Sequence, residues 1–368
     1  VGAKLGTVMI LKIYGNVEKN QENWVIPNMF FDFNNQDYEF DSVPQDMLYD
    51  INATTGTNLE NFNENVTSKI RMLMHIYDDS EDIVSKTVDR LGTELMDNLY
   101  FLAVQKNPNI DNDHVMYVDF WFNIVKGYYL NYPFKHDTQR WYYHNERSYV
   151  LPEITSAISK THIYVAPNRV YNDEWRYTQY RKRLVLDLKP YKALGYIGSA
   201  TINKSWVLWP HGDYPDYTLA QLSTVDRVHK KRWGYAPIHY EYLRDTFISI
   251  YGETIEYGNE YFVSEKTYDP LIRGHFILPF SNAGFVAWLR GLGFKFPNFI
   301  DYSYDAIIDN DTRYAAYQNE MRRLLNISLD DWCQHWDNNL NILQHNRQIF
   351  FERPYDRLDL LKLVEKSS

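Results

Sequence analysis

The chain has a single cysteine, no long apolar run and no internal repeat or low-complexity tract. With Cys333 alone no internal disulfide forms, and its setting in Asp331-Trp332-Cys333-Gln334-His335-Trp336 predicts a buried thiol without chemistry of its own. No stretch approaches the roughly 18 consecutive apolar residues that cross a bilayer, so no membrane partner is expected. The start shows no basic-then-apolar signal pattern, which makes the cytoplasm the expected compartment. A Gly-Lys-Thr phosphate loop is missing, as are acidic metal clusters, and both absences argue against a helicase or a nuclease. His229, His239 and His275 are not grouped at ligand spacing. Asp309-Asn310-Asp311 has the letters of a metal-binding Asp-X-Asp but reads as a loop, so no metal or other cofactor is expected.

What is present is aromatic and unevenly charged. A hydrophobic content of 45% with 17% aromatics, over 368 residues, supports two ordinary cores. Lys4-Leu5-Gly6-Thr7 matches two adjacent restriction sites, so residues 1–8 are expected to be a cloning remnant before a native start at Met9. The net charge of −10 hides a basic middle: 13 Lys and Arg face 6 Asp and Glu between residues 160 and 235. Its clusters are Arg176, Arg181, Lys182 and Arg183, then Arg227, Lys230, Lys231 and Arg232. Such a band suits nucleotide phosphates or a polyanionic acceptor, and equally a solvated face.

Strands are expected over residues 7–14, 69–77 and 114–122, with a helix capped by Ser80 after the second. Leu151-Pro152-Glu153 marks a crossing between domains. The second half restarts with a strand over 162–166, then a basic amphipathic helix over 176–188, a helix over 236–244 and a strand over 246–251. A helix beginning at Glu265 and a buried strand over 276–280 follow. This alternation predicts an α/β protein with a parallel sheet in each half and ligands at the carboxyl ends of the strands. The expected domains are residues 9–155, 160–327, and helical residues 328–368 packing back toward the first domain.

The most informative segment is Tyr261-Phe262-Val263-Ser264-Glu265-Lys266-Thr267-Tyr268, an apolar run ending in an adjacent carboxylate and ammonium. A carboxylate accepts from paired ribose hydroxyls and a neighbouring ammonium offsets phosphate charge, so Glu265 and Lys266 suit a nucleoside diphosphate. Ser264 followed by Glu and Lys also starts an ordinary helix.

With Gly274 nine residues after Glu265, the segment resembles the donor-binding motif of the α1,3-fucosyltransferases. Arg181, Leu188 and Gly198 match the spacing of a second block of that family, and residues 247–313 look like glycosyltransferases encoded by bacteriophages and large viruses. The resemblance covers roughly residues 160–315. It implies a GT-B architecture, two Rossmann-like parallel-sheet domains facing a cleft. It also implies a nucleotide sugar held by Glu265 on the ribose, Lys266 on the diphosphate and Arg181 on phosphate charge. Ser264, Thr267 and Tyr268 belong to the same donor motif, with hydroxyl or backbone donors at the helix start. Asn168 and Arg169 follow the first strand of the donor domain, where the family places a Ser-Asn pair. Glu253-Thr254 resembles the family's Glu-Asn pair, two residues further from Glu265 than usual.

Fixed cations stabilise a departing diphosphate without a metal. An inverting enzyme also needs a carboxylate to take the acceptor proton, and Asp78, Asp79 and Asp119, at or near strand ends, are the candidates. The expected function is therefore a nucleotide-sugar-dependent glycosyltransferase, inverting and metal-independent. Its expected acceptor is a hydroxymethylated pyrimidine in viral DNA, contacted by Arg176, Lys182, Arg183, Lys230, Lys231 and Arg232. A viral enzyme of this kind works in the host cytoplasm. The alternatives are a fucosyltransferase-like enzyme acting on a glycan or protein, and a noncatalytic nucleotide-sugar or glycan-binding protein.

Overall fold

A computed structural model describes residues 11–15, 31–32, 38–42, 71–75, 99–103, 106–109, 115–130, 151, 153–157, 160–169, 179–200, 206–209, 240–256, 258, 260–356 and 358–359. The chain divides into two compact units, Val1–Phe120 with Asp356–Ser368, and Trp121–Tyr355. In the first unit the strands are β1 (Leu11–Gly15), β2 (Phe31–Asp32), β3 (Tyr38–Ser42), β4 (Arg71–His75), β5 (Leu99–Ala103) and β6 (Val115–Tyr117). Five of them form a sheet in the order β3-β1-β4-β5-β6, parallel throughout. Parallel neighbours require a crossover between them, which the long separations in sequence provide.

The expected strand over 114–122 ends early. β6 stops at Tyr117, and Phe120 opens helix α1 (Phe120–Tyr129). Helical spacing buries Phe122, Val125 and Lys126 together. Phe122 meets the rings of Tyr268 at 5.7 Å and Phe350 at 4.8 Å, so α1 belongs to the second unit from Trp121 onward. The division thus falls at residues 120/121 and not near 155.

The second unit contains β7 (Tyr164–Arg169), α2 (Gln179–Leu188), β8 (Gly195–Ala200), β9 (Trp206–Trp209), α3 (Tyr240–Asp245) and β10 (Ile248–Gly252). These are followed by α4 (Glu265–Ile272), β11 (Phe276–Phe280), α5 (Phe285–Gly291), α6 (Asn310–Leu325), α7 (Leu329–Asn338) and α8 (Leu340–Glu352). A last short strand, β12 (Leu358–Asp359), pairs with β2 in the first unit.

The second sheet has the order β11-β10-β7-β8-β9, parallel except for β9. The chain winds outward from β7 to β9 and then returns to the other side of β7, so the strand order reverses between β7 and β10. Those two strands pair only at Ile248 with Tyr164 and Ser249 with Val165, and then part. Every residue of β10 and β11 is buried, which is why both read as continuous apolar runs and not as alternating ones.

The helices from residue 328 pack within the second unit. Trp332 stacks on Phe247 and lies against Phe276, while Trp336 donates its indole N–H to the Thr155 carbonyl at 2.8 Å. Because Trp332 and Trp336 take the inward positions of α7, Cys333 is left part-exposed, not buried as its neighbours suggested.

β11 is an edge strand, which accommodates Pro279. Its carbonyls are covered by phenols: Tyr302, Tyr317 and Tyr304 donate to Ile277, Leu278 and Pro279 at 2.8, 3.2 and 2.8 Å. Tyr304→Phe leaves a buried carbonyl short of a donor and is expected to cost about 1 kcal/mol, measured by urea unfolding.

Lys160 donates its ammonium to the carbonyls of Leu243, Arg244 and Thr246 at the end of α3 and lies 3.9 Å above the Trp336 ring. Burial, opposed by Asp245, pulls this lysine down to about 7. The unfolded chain, with an ordinary lysine, binds more protons than the folded one above that value, so stability rises with pH from about 7 toward about 10. Lys160→Met is expected to flatten that slope, read from unfolding free energies across the same pH range.

Candidate functional site

The segment between β10 and α4 is organised by a buried carboxylate. Glu253 is 0% exposed, one residue past β10. Its Oε1 accepts from the Ser264 backbone N–H at 3.2 Å and the Thr267 hydroxyl at 2.5 Å. Its Oε2 accepts from the Ser264 hydroxyl at 2.6 Å and the Thr254 N–H at 3.3 Å. Ser264 is the N-cap of α4, and its Oγ in turn accepts from the Lys266 N–H at 3.2 Å. The Tyr251 hydroxyl sits 2.6 Å from Thr267, and burial beside Glu253 holds that phenol well above its ordinary range. The first turn of α4 is thus fastened to the end of β10 from below.

Arg181 of α2 reaches the same strand end. Its Nε donates to the Gly252 and Glu253 carbonyls at 3.0 and 3.1 Å, and Nη2 donates to the Thr254 hydroxyl at 3.0 Å. The side chain is 2% exposed, so its charge is held inside the strand-end structure. Asn168 of β7 crosses to β10, accepting from the Gly252 N–H at 3.0 Å where the two strands have already parted. It lies within β7 and not in a loop after it, and it is buried. These strand ends lie at a reversal of strand order, the position at whose carboxyl side open α/β sheets bind ligands.

Glu265 and Lys266 open α4 and are bound to each other, Nζ to Oε1 at 3.0 Å, with side chains 21% and 13% exposed. An ammonium has three donors, and this carboxylate engages one of them. Gly274 has a different role from its neighbours in the motif. It takes φ +78° just past the helix, its N–H bonding Leu271 while the His275 N–H bonds Pro270, a Schellman turn. A Cβ there would lie 2.7 Å from Ile154. The fixed distance from Glu265 to Gly274 therefore records the length of one capped helix.

Other expected residues scatter. Tyr268 is in the core against Phe122, Phe294 and Phe350. Thr267 is buried as a ligand of Glu253, and Thr254 serves Arg181. Arg169 ends β7. Lys182 and Arg183 are exposed on α2, and Arg183 pairs with Asp311 at 2.7 Å. Asp309 caps α6 through the Thr312 N–H at 2.9 Å, so Asp309-Asn310-Asp311 begins a helix and is not a loop. Asp119 is buried, and its N–H donates to Asp356 at 2.7 Å. His275 is neutral in the core, donating from Nε2 to Leu243 and accepting from Ser249. Asp78, Asp79, Arg176, Lys230, Lys231 and Arg232 lie outside the described residues. Among the described residues no group of three His, Cys, Asp or Glu is placed to share a metal ion.

Sequence reasoning placed Glu253 on the ligand and passed over Glu256 and Arg313, both buried near Arg181. The available signal was three glutamates, Glu253, Glu256 and Glu260, in a loop otherwise rich in apolar and aromatic residues. Glu253→Ala would leave Ser264 and Thr267 without their acceptor. It is expected to destabilise the second unit by about 3 kcal/mol, seen by urea unfolding and by faster hydrogen exchange at Ser264 and Lys266. No family model matches the chain, and no curated protein is detectably similar to it.

Proposed function

We propose that the protein is a metal-independent, nucleotide-sugar-dependent glycosyltransferase of the GT-B type, its two parallel-sheet units corresponding to the two Rossmann-like halves of that architecture. One observation carries the reading. A part-buried ammonium, Lys266, stands in the first turn of a helix at the strand-order reversal, with hydrogen-bonding capacity beyond its pair with Glu265. A helix start and an ammonium together favour a diphosphate, and Glu265, released from Lys266 by the incoming phosphates, is suited to the ribose hydroxyls.

In this reading the chain acts by holding charge. The sugar–phosphate bond breaks as the acceptor oxygen attacks, and negative charge grows on the departing diphosphate. Lys266 meets that charge directly, while Arg181, locked behind the strand end, contributes a fixed positive field. The acceptor hydroxyl gives its proton to a carboxylate on the acceptor side. Of the three expected bases Asp119 is buried, which leaves the role to Asp78 and Asp79.

The acceptor in this reading is a hydroxymethylated pyrimidine of DNA, supported by the excess of Lys and Arg between residues 160 and 235 and by exposed Lys182 and Arg183. The overall charge of −10 favours the second reading, transfer to a glycan or protein acceptor.

Lys266→Ala is expected to lower transfer by about 100-fold or more, with an unchanged unfolding midpoint because among the described residues the side chain bonds only Glu265. The assay offers a panel of nucleotide sugars with hydroxymethylated DNA, plain DNA and free glycans, read by mass spectrometry. Wild-type turnover in the variant would sink the donor assignment. Mass gain on glycans alone would select the second acceptor.

A further inference from the structure

We propose that Glu256 carries a proton while an anionic diphosphate occupies the donor site, so that one buried carboxyl sets the charge of that site. This rests on the donor reading given above. Glu256 lies three residues beyond Glu253 in the β10–α4 segment and is fully buried. Its carboxyl and the Arg181 side chain converge on Gly252. A Cβ on that glycine would lie 2.5 Å from Glu256 Oε1 and 2.9 Å from Arg181 Cγ. Arg313 of α6 closes the other side, donating from Nη2 to the Glu256 backbone carbonyl at 3.2 Å.

Among the described residues neither carboxyl oxygen of Glu256 has a hydrogen-bond partner. Glu253, by contrast, has four donors on the same segment. A buried ionised carboxylate without donors is costly, whereas a protonated one is a modest polar group. The groups acting on Glu256 are Arg181 from α2, Arg313 and Tyr317 from α6, and Glu253 from its own segment. The Tyr180 N–H at the start of α2 also favours the charged form without meeting hydrogen-bond geometry. Burial outweighs the two guanidinium groups and holds the carboxyl well above the ordinary carboxylate range.

The local charge then has two settings. With both acids ionised, Glu253 and Glu256 cancel Arg181 and Arg313. With a proton on Glu256 the cluster carries one net positive charge. A diphosphate arriving at Lys266 and the Arg181 strand end lowers the local potential, and in a buried setting that field reaches Glu256 with little screening. Diphosphate and proton therefore bind together, and by linkage the diphosphate binds more weakly as pH rises. Donor release is favoured by the same carboxyl once its proton leaves.

Glu256→Gln keeps the shape of the protonated acid and removes its titration. Binding of inorganic pyrophosphate, ADP, GDP, CDP and UDP to the full chain is measured by calorimetry between about pH 6 and about pH 9. Two buffers of different ionisation heat report net proton uptake. The wild type is expected to weaken with pH, beyond the ligand's own ionisation, by up to about tenfold per pH unit, the limit for one proton. Glu256→Gln is expected to hold the wild type's acid-limit affinity across the range. Ligand ionisation is common to both proteins and cancels in the comparison. Identical pH profiles would overturn the proposal while leaving the donor site intact. So would proton uptake by the wild type that does not exceed that of Glu256→Gln with the same ligand. A wild type that binds none of the probes at any pH removes the donor reading, and this proposal with it.

Discussion

The Glu253 carboxylate is the constraint on which the candidate site depends. An ionised carboxylate out of water must be met by donors, and the chain meets this one with two hydroxyls and two backbone N–H groups drawn from the α4 cap and the adjoining turn. In doing so it fixes where α4 begins and which way its first turn faces. Ser264 is turned inward as the cap, and Glu265 and Lys266 are left part-exposed. Because the anchor is attached directly to β10, every residue of which is buried, the position of Lys266 inherits the rigidity of the sheet.

Much of the second unit was legible in the sequence, and for definite reasons. β11 was read correctly over 276–280 because five consecutive apolar residues between a glycine turn and a serine leave little choice. α4 was read from its first residue because Ser264 is a strong cap. α2 was read through Leu188, whose side chain is fully buried. What escaped was structure decided by distant contacts. β8 begins with glycine and carries mixed residues, and its pairing with β7 is what makes it a strand. α6 opens with Asn-Asp-Thr-Arg, which resembles a loop until Asp309 is seen to cap it. α1 was hidden because Val115 to Phe122 is equally apolar at period 2 and at helical period, and only the rings of Tyr268 and Phe350 decide in favour of the helix.

At the site the sequence indicated the correct neighbourhood and misassigned several roles. Ser264, Thr267 and Tyr268 share a motif with Glu265 and Lys266, and a motif does not distinguish residues that touch a ligand from residues that hold those in place. Burial does. Three members of the motif face inward, and Gly274 ends the helix. Charged residues buried in this way are seldom the most stable choice; their use here is consistent with fixing one arrangement of the strand ends at the expense of some stability.

The phenols over β11 bear on the boundaries of the sheet. A strand at the margin offers a row of carbonyls and N–H groups to any other chain that presents a strand. Here the outward carbonyls of Ile277 and Pro279 already have donors, supplied by Tyr302 and Tyr304. The margin is closed by the protein's own tyrosines, which limits the sheet's width and withholds that flank from strand exchange between copies. Part of the high tyrosine content, 32 residues in the chain, thereby has a structural use independent of catalysis: the hydroxyl serves as a plug, and the ring carries it through an apolar layer.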